Sequence, residues 1–505
     1  MQYMERLRTL DGEAKLITHI GAVLGWDQET YMPPAAIEER GDQLAYLEGL
    51  AHEKQTMPEI GELLAALGST GENPEGDTTL SPMDRAYLRI MRRNYDQATK
   101  VPTELVSEMA KATSLSQAAW AKARSGNDFP AFEPHLQKMV DFNRRIADCL
   151  DPSGKPYDVL LDRFEEGGTQ AGIAAVFNPL RDELVKLMDR IRSRPQVNDD
   201  FLHRHCPEAD QAKASSYLMK ILSYDLERGR LDKTAHPFTT TLGVSDVRIT
   251  TRYVEDFFPS SVFGTIHESG HALYELGMGP APEYQRTSLA DAASMAVHES
   301  QSRLWENMVG RSLGFWKNHL QEFARMLTPV LDGVSIDEYY RAINKVEPSL
   351  IRTEADEVTY SLHVILRFEL EAELLSGNLA VKDLPGAWNE RMQAFLGIVP
   401  PDDAKGCLQD IHWSMGAIGY FPSYALGNLY GAQFWDAMKD QGFDPAVAVE
   451  NDNLGAILTW LRANVHSAGA VYKPGELARK VTGESLDASH FMRYLNEKYA
   501  RVYGF

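Results

Sequence analysis

The spacing of apolar residues predicts that most of this chain is helical. Between Ile173 and Ile191, apolar residues recur at every third or fourth position while charged residues occupy the other faces, which is the pattern of an amphipathic helix. Pro179 predicts either a kink in this segment or the first turn of a new helix. Ser81 followed by Pro82 predicts another helix start, because serine caps helices and proline suits their first position.

One region departs from the helical pattern. From Phe238 to Tyr253 the chain is rich in Thr and Val, and apolar residues such as Val247 and Ile249 alternate with polar ones. A period of two among β-branched residues is typical of strands with one buried face. We therefore expect a small β-sheet or hairpin here.

Two polar segments predict where the chain is divided. Residues 68–79 are rich in Gly, Asn, Asp and Pro and predict an exposed loop, and residues 193–200 predict a softer boundary. We expect an N-terminal helical part over residues 1–200 and a second part over residues 201–505, joined as one continuous unit.

Composition and charge narrow the class of protein. The chain has 505 residues, of which 44% are hydrophobic, and its 72 acidic and 51 basic residues give a formal charge of -21. This composition is ordinary for a globular protein with a large core. So acidic a surface repels nucleic acids and anionic membranes, and we expect neither as a partner.

Cysteine usage and the lack of long apolar segments predict a cytoplasmic protein. Cys149, Cys206 and Cys407 are far apart and odd in number, which supports neither a disulfide framework nor a thiolate metal cluster. No signal-peptide pattern is visible at the N-terminus, and no segment reaches the ~20 apolar residues of a membrane span.

A metal-binding motif stands in a segment with helical spacing. His267, Glu268 and His271 form a His-Glu-x-x-His motif, and four residues make about one helical turn, so both imidazoles can converge on one ion. Glu268 projects beside the pair, where it can take a proton from the attacking water of a zinc peptidase. Gly270 allows another backbone or a substrate to approach closely. The alternative is two ordinary helix histidines.

The preceding strand region suits a substrate laid along its edge, with a purely structural hairpin as the alternative.

A catalytic zinc ion takes three protein ligands and keeps one position open. No further histidine follows at short spacing, since residues 277–280 are Gly-Met-Gly-Pro. The helical pattern from Leu289 to Asn307 contains Glu299, which we predict as the third ligand. Its neighbour His298 either supports a ligand or is only structural.

An ordered series of short motifs extends over most of the chain. It comprises Trp26-Asp27-Gln28, Met32-Pro33, Arg40, His236-Pro237-Phe238, Asp246-Val247-Arg248-Ile249-Thr250, the His-Glu-x-x-His motif, His298-Glu299-Ser300-Gln301, Ile351-Arg352-Thr353-Glu354-Ala355-Asp356-Glu357, Gly406-Cys407-Leu408-Gln409, His412-Trp413 and Gly419-Tyr420-Phe421-Pro422-Ser423-Tyr424. In content and order these motifs resemble the thermostable carboxypeptidase Taq family of zinc metallocarboxypeptidases, and no motif residue is missing.

The resemblance implies a fold and an activity. The fold is mainly α, a large helical single-subunit fold with a deep central cleft and a small β-sheet beside the zinc site, similar to neurolysin and angiotensin-converting enzyme. Residues 1–200 then form one wall or lid of the cleft. The implied protein is a homodimer that releases single C-terminal amino acids from peptides with a free C-terminus, with broad side-chain tolerance.

The same resemblance assigns the metal site. It makes His267, His271 and Glu299 the ligands of Zn²⁺, for which Co²⁺ can substitute, and Glu268 the general base and acid. In the expected mechanism, Glu268 takes the proton of the attacking water and passes it to the leaving amine.

A carboxypeptidase must recognise a terminal carboxylate, which a guanidinium does with two parallel hydrogen bonds. Arg352 and Arg248 are the candidates, and we favour Arg352. Each has a structural alternative, in which Arg248 pairs with Asp246 and Arg352 pairs with Glu354 or Asp356.

The tetrahedral intermediate needs hydrogen-bond donors besides the metal. Tyr420 and His412 lie in a segment similar to the His/Tyr segment of related peptidases and are our candidates, with Tyr424 as a further one. The alternative is that these are buried aromatic residues in a Gly-Pro turn. His236 and Gln409 are candidates for substrate binding, with a purely structural role left open.

Two rival functions remain open. A zinc oligoendopeptidase of related fold would use the same metal chemistry, but it would also cleave peptides whose C-terminus is amidated. A non-catalytic helical binding protein with a vestigial metal site would show no metal-dependent hydrolysis.

Overall fold

Helices dominate the part of the chain that the structure, a computed structural model, describes, which is residues 2–505. The α-helices of these residues are α1 (Gln2–Thr30), α2 (Ile37–Gln55), α3 (Pro58–Ala66), α4 (Pro82–Lys100), α5 (Thr103–Gly126), α6 (Phe129–Leu150), α7 (Pro156–Asp162), α8 (Gln170–Arg192), α9 (Glu208–Ile221), α10 (Pro259–Glu275), α11 (Met295–Arg303), α12 (Leu313–Met326), α13 (Ile336–Ala342), α14 (Glu357–Ser376), α15 (Leu384–Leu396), α16 (Pro422–Asp440), α17 (Pro445–Glu450), α18 (Leu454–Asn464), α19 (Pro474–Thr482) and α20 (Ser489–Tyr503).

Shorter helical elements connect or extend these helices. A π-helix, Leu304–Gly310, directly continues α11. The 3-10 helices are Pro34–Ala36, Asp200–His203, Pro282–Tyr284, Ser288–Ala290, Arg352–Glu354, Val381–Asp383, His412–Met415 and His466–Ala468.

The predicted helices are present, and the structure decides between the two alternatives that were left open at Pro179. The amphipathic segment is α8, which continues through Pro179, so the alternative of a new helix start at this proline is excluded. Ser81 caps α4 as expected, because its hydroxyl accepts a hydrogen bond from the backbone N–H of Asp84 at 3.1 Å. The motif helix is α10, which ends before the Gly-Met-Gly-Pro sequence of residues 277–280.

The predicted strand region forms a sheet of three strands in the order β1-β3-β2. These are β1 (Leu231–Lys233), β2 (Thr239–Gly243) and β3 (Asp246–Thr251). β2 and β3 form the expected antiparallel hairpin, whereas β1 pairs in parallel with β3 and was not predicted. At three residues, β1 is too short to produce a recognisable alternation.

The sheet packs against α10 and thereby positions the metal-binding motif. Val247 and Ile249 of β3 form a buried cluster with Ala272 of α10 and with Leu276, the residue directly after this helix. Another face of α10 packs into the main hydrophobic core, which extends from Ala123 to Tyr503. A smaller core joins α1, α3 and α4.

This architecture confirms the predicted fold class, a mainly helical protein with a small sheet beside the motif helix. The division into residues 1–200 and 201–505 stays a prediction. Among residues 2–505, no helix combines the length and the apolar character that crossing a membrane would require.

Candidate metal centre and active site

Three side chains of α10 and α11 meet at one point. His267 and His271 stand one turn apart on α10, with ring centroids 4.9 Å apart. Glu299 reaches them from α11, and its Oε2 lies 3.7 Å from Nε2 of His267 and 3.3 Å from Nε2 of His271. One ligand atom from each residue falls within 4.8 Å of the other two. The structure thus brings together the three residues that the sequence predicted as ligands.

Glu306 fixes the orientation of the His267 ring. Nδ1 of His267 lies 3.0 Å from Oε2 of this carboxylate. Arg303 and Arg311 also bind Glu306, at 3.2 and 3.0 Å. Because an ionised carboxylate can only accept, Nδ1 carries a proton. Glu299 and Glu306 outweigh burial and raise the pKa of His267, so a metal ion at Nε2 would take the place of a second proton.

A second histidine orients His271. Nδ1 of His271 and Nδ1 of His298 lie 2.6 Å apart, and Nε2 of His298 lies 2.7 Å from Oε1 of Glu275. If Nε2 of His298 donates to Glu275, its Nδ1 accepts from His271, whose Nε2 then bears a lone pair. Burial and the neighbouring His298 lower the pKa of His271 to about 3, which also keeps this imidazole neutral. His298 therefore contacts a candidate ligand directly.

Arg303 holds the third candidate ligand. Its Nε donates to Oε1 of Glu299 at 2.7 Å, which leaves Oε2 directed at the two imidazoles. Burial opposes ionisation of Glu299, but Arg303 and His267 outweigh it and hold the pKa well below its ordinary value. The carboxylate is thus charged and oriented by the protein itself.

This donor set fits a divalent transition-metal ion. Two neutral imidazole nitrogens and one carboxylate oxygen are the ligands of a catalytic zinc site with an open fourth position. The outer partners, Glu306, His298 and Arg303, each orient one ligand, as second contacts around catalytic metals usually do.

Glu268 lies beside the candidate ligands and is held by the sheet. The hydroxyl oxygen of Thr239 in β2 lies 2.6 Å from Oε2 of Glu268 and 3.1 Å from the backbone carbonyl oxygen of Glu268. Burial raises the pKa of Glu268. The edge strand β2 therefore contacts the proposed general base.

Two glycines set the spacing of the helices that carry the ligands. A Cβ at Gly270 would lie 2.7 Å from Cα of Ser302 in α11, so this glycine admits another backbone, one of the two alternatives that the sequence left open. A Cβ at Gly427 of α16 would lie 2.6 Å from Cγ of Glu299. Glycines on both neighbouring helices, α10 and α16, thus allow α11 to pack closely enough to bring Glu299 to its position.

Arg352 is buried in a cluster of charged residues. Its Nη2 donates to Oδ1 of Asp410 at 2.8 Å, and Arg367 binds the other oxygen of the same carboxylate. The alternative pairing of Arg352 with Glu354 or Asp356 is not formed among the described residues, and Arg352 pairs with Asp410 instead.

Gln409 braces the same cluster. Its side-chain oxygen accepts from the backbone N–H of Arg352 at 2.9 Å and from Nη2 of Arg367 at 2.8 Å. Its amide nitrogen donates to the backbone carbonyls of Leu350, Lys405 and Gly406. These contacts engage both ends of the amide and indicate that Gln409 positions Arg352.

Arg248 has the structural partner expected for it. Its Nε and Nη2 donate to the two oxygens of Asp246 at 2.9 and 2.8 Å, and its guanidinium lies 4.3 Å from the ring centroid of Trp26. Because Val247 and Ile249 face α10, the alternation of β3 places Arg248 on the opposite face of the sheet.

His412, Tyr420 and Tyr424 form one aromatic cluster. Nε2 of His412 lies 3.3 Å from the hydroxyl of Tyr424, and the ring of Tyr420 lies 5.7 Å from His412 and 5.2 Å from Tyr424. The guanidinium of Arg352 lies 4.9 Å from the Tyr424 ring. Burial and the nearby Glu299 carboxylate raise the pKa of Tyr420, so its hydroxyl stays a proton donor next to the ligand site.

Glu371 supports the segment that carries these aromatics. It accepts hydrogen bonds from the Trp413 indole at 2.8 Å, the Tyr157 hydroxyl at 2.8 Å and the backbone N–H of Gly419 at 3.0 Å. Two of these donors lie within the His412–Tyr420 segment. Burial raises the pKa of Glu371 to about 7.

The exposed side chain of His236 makes no hydrogen bond to any other side chain among residues 2–505. Its backbone carbonyl accepts from Thr234 at 2.9 Å. It lies three residues before Thr239, which contacts Glu268. The structure thus places His236 in the loop that leads into the edge strand.

Sequence reasoning missed several residues of this site. Glu306 lies in the π-helix, whose changed register hides its position from an argument based on α-helical spacing. Asp410 directly follows Gln409 in a motif that was recognised. Nothing in the local pattern points to Thr239 or Glu371, because their partners are distant in the chain.

A mainly helical fold built around a His-Glu-x-x-His helix, with a carboxylate supplied by a second helix, defines a helical metallopeptidase. The family model described as carboxypeptidase Taq (M32) metallopeptidase matches residues 6–499. The chain belongs to this family and is therefore a metallocarboxypeptidase, a peptide hydrolase.

Named relatives and solved structures agree over almost the full length. The chain is 41% identical to thermostable carboxypeptidase 1 of Thermus thermophilus, covering 99% of both chains. It is 36% identical to carboxypeptidase 1 of Bacillus subtilis, covering 97% of both. The crystal structure of the M32 carboxypeptidase from Deinococcus radiodurans superposes with a TM-score of 0.95 at 39% identity, covering 100% of both chains.

Proposed function

We propose that the protein is a zinc carboxypeptidase in which His267, His271 and Glu299 hold the metal ion. The observation that carries this proposal is the convergence of both Nε2 atoms on one oxygen of Glu299, at 3.7 and 3.3 Å. Glu306, His298 and Arg303 engage the other polar atoms of these side chains, and Oε2 of Glu299 also accepts from the Ser302 hydroxyl at 3.1 Å. Co²⁺ accepts similar ligands and is expected to substitute for Zn²⁺.

A zinc ion bound there supplies Lewis acidity, which lowers the pKa of water and polarises a carbonyl group. The remaining chemistry belongs to the side chains of this protein. Glu268 takes a proton from the attacking water and passes it to the leaving amine. Thr239 holds one oxygen of Glu268, so the other oxygen is left for this transfer.

Tyr420 and His412 are proposed to stabilise the tetrahedral intermediate. The raised pKa of Tyr420 keeps its hydroxyl as a donor, and burial lowers the pKa of His412 to about 4, so its imidazole is neutral. A neutral donor can bind a developing oxyanion without carrying a charge that the buried site would have to stabilise. Tyr424 orients His412 through the contact between its hydroxyl and Nε2.

Arg352 is proposed to recognise the terminal carboxylate of the substrate. It lies against Tyr424, next to the residues proposed to bind the intermediate, whereas Arg248 lies on the face of the sheet that is turned away from α10. Gln409 and Asp410 hold Arg352 in place and leave further N–H groups of the guanidinium available. Arg248 and His236 are proposed to line the more distant part of the substrate path.

Further features of the proposal follow from the family. The protein is proposed to release single C-terminal residues with broad side-chain tolerance and to act as a cytoplasmic homodimer. The relatives in Thermus thermophilus and Bacillus subtilis are named carboxypeptidases.

The decisive experiment compares two forms of one N-blocked peptide, with the C-terminus free or amidated, on protein of measured zinc content. Products are followed by mass. We expect stepwise loss of single residues from the free form and no cleavage of the amidated form. Comparable cleavage of the amidated peptide would instead indicate an oligoendopeptidase, and absence of metal-dependent hydrolysis would indicate a binding protein.

The arginine assignment has its own comparison. Arg352→Lys removes the planar fork but keeps the charge, so we expect a large rise in KM for the free peptide. Arg248→Lys serves as the matched variant and should change KM much less. The reverse order of effects would assign the carboxylate to Arg248.

A further inference from the structure

A cavity of about 280 Å³ lies beside the π-helix, and none of the proposed substrate residues lines it. It is bounded by the π-helix and by α12, α13, α16, α17 and α20. The side chains at its base are buried and mostly apolar or aromatic, and they are Met308, Tyr340, Trp435 and Val449. The cavity is therefore large enough for a small molecule with an apolar portion.

Most charges at this cavity are already paired within the protein. Lys498 donates to Glu357 at 2.7 Å. Asp436 binds both Lys439 and Arg493. These pairs leave little net charge at the base of the cavity.

Three charged side chains at the rim remain without a partner. Arg501, Glu450 and Glu497 are exposed, and none forms an ion pair or a side-chain hydrogen bond with any of residues 2–505. The rim thus presents one free guanidinium and two free carboxylates. A ligand that carries both a negative and a positive group would match it.

Asn307 provides a separate sign of a ligand. It is only 5% exposed and lines the cavity, yet its side-chain amide makes no hydrogen bond within the described part of the chain. Only its backbone carbonyl is satisfied, by the Tyr494 hydroxyl at 2.9 Å and by Lys498 at 3.3 Å. Neither atom of this amide is among the fully buried atoms that lack a partner, so the amide faces the open space of the cavity and is available to a molecule there.

We propose that this cavity binds a free α-amino acid with an apolar or aromatic side chain. Arg501 takes the carboxylate, and Glu450 and Glu497 take the ammonium group. The Asn307 amide donates to or accepts from the same polar end, while the side chain of the ligand lies on Trp435. Such a molecule is also what a carboxypeptidase releases, so the site would sense product.

The cavity is linked to the metal centre through consecutive residues. Asn307 follows Glu306 in the π-helix, and Glu306 holds Nδ1 of His267 at 3.0 Å. A ligand that moves Asn307 therefore also moves the partner of a proposed metal ligand. This coupling rests on the proposed function, whereas binding in the cavity does not.

Binding is tested by calorimetry on the full-length, zinc-containing protein, with L-leucine and L-phenylalanine up to about 10 mM. Their amides lack the carboxylate and their N-acetyl forms lack the ammonium group, so both serve as controls. We expect binding of the free amino acids alone. No binding, or equal binding of the amides or N-acetyl forms, would overturn the proposal.

Variants then separate the cavity from the active site. Arg501→Gln should weaken binding at least about tenfold through loss of a charge-assisted pair, and Ala446→Trp, at the exposed mouth, should abolish it. Arg325→Gln, an exposed change on α12, is the control. Unchanged binding in both cavity variants would place the amino acid at the active site and overturn the assignment.

The link to the metal centre is measured by inhibition kinetics. Free L-leucine should lower kcat in the wild-type protein, and this effect should be absent from Arg501→Gln. Purely competitive inhibition that is the same in both proteins would overturn the link. Calorimetry does not depend on turnover, so failure of the proposed peptidase mechanism would leave the binding result intact.

Discussion

Glu306 and His267 form a hydrogen-bonded pair in which the carboxylate accepts the proton of Nδ1 at 3.0 Å. The carboxylate is placed by a π-helix, an element that inserts one extra residue per turn and often occurs at functional sites. Arg303 and Arg311 keep Glu306 ionised, since their guanidinium groups outweigh burial and lower its pKa. The orientation of one proposed metal ligand therefore depends on a residue that does not touch the ion.

Glu306→Gln tests this dependence. An amide can still approach Nδ1 but no longer fixes the proton there, so metal affinity should fall about 10–100-fold. Competition with a chromophoric chelator measures the affinity. Glu322→Gln, an exposed change, is the control. Equal affinities in the two variants would show that Glu306 has no role in metal binding.

Glu268→Gln separates metal binding from proton transfer. The variant keeps all three proposed ligands, so its zinc content should match that of the wild type. Its kcat should fall by about 10²–10⁴, the usual contribution of a general base. Near-normal hydrolysis would remove Glu268 from the mechanism.

Substitutions of Thr239 test whether its hydroxyl positions Glu268. Thr239→Val deletes the hydroxyl that lies 2.6 Å from Oε2 of Glu268, and loss of one such hydrogen bond should lower kcat about tenfold. Thr239→Ser retains the hydroxyl and should stay close to the wild type. If valine and serine behave alike, the contact does not position Glu268.

Gly427→Ala tests whether close packing of α16 against Glu299 fixes the position of this proposed ligand. The added Cβ would lie 2.6 Å from Cγ of Glu299, so the carboxylate must shift and zinc affinity should fall. Gly455→Ala is the matched control, because a Cβ there meets nothing within 4 Å and the helix of α18 should gain up to about 1 kcal/mol of stability. Loss of metal affinity in both variants, or in neither, would contradict this reasoning.

Glu371 predicts a dependence of stability on pH. The pKa of Glu371 is about 7 in the folded protein and lies above the ordinary value of 4.5. The protonated form therefore adds fully to the free energy of unfolding below pH 4.5, and this stabilisation is lost as the pH rises to 7. Glu371→Gln removes that loss. From pH 5 to 8, the free energy of unfolding of the variant relative to wild type should rise by about 2–3 kcal/mol. Urea unfolding at both pH values measures it, and a constant difference would contradict the raised pKa.

Much of the site was predictable because its signals are local. The spacing of His267 and His271, the Gly-Met-Gly-Pro sequence after α10 and the alternation of β3 each arise within a few residues. Glu299 could be located because its helix follows at short range.

The remaining residues depend on contacts between distant segments. Asp410 rather than Glu354 pairs with Arg352, because the chain returns to the cluster after α14 and α15. Glu371 looks like an ordinary charge on a helix until the His412–Tyr420 segment folds over it. The π-helix that places Glu306 changes the helical register, which apolar periodicity does not reveal.

Arg303 holds one oxygen of Glu299 and leaves the other facing the two imidazoles. A set of two imidazoles and one carboxylate suits several first-row divalent metals. Together with Glu306 and His298, Arg303 orients the three proposed ligands from outside the metal site. A substitution at any of these three supporting residues would therefore disturb the proposed metal site while leaving every ligand in place.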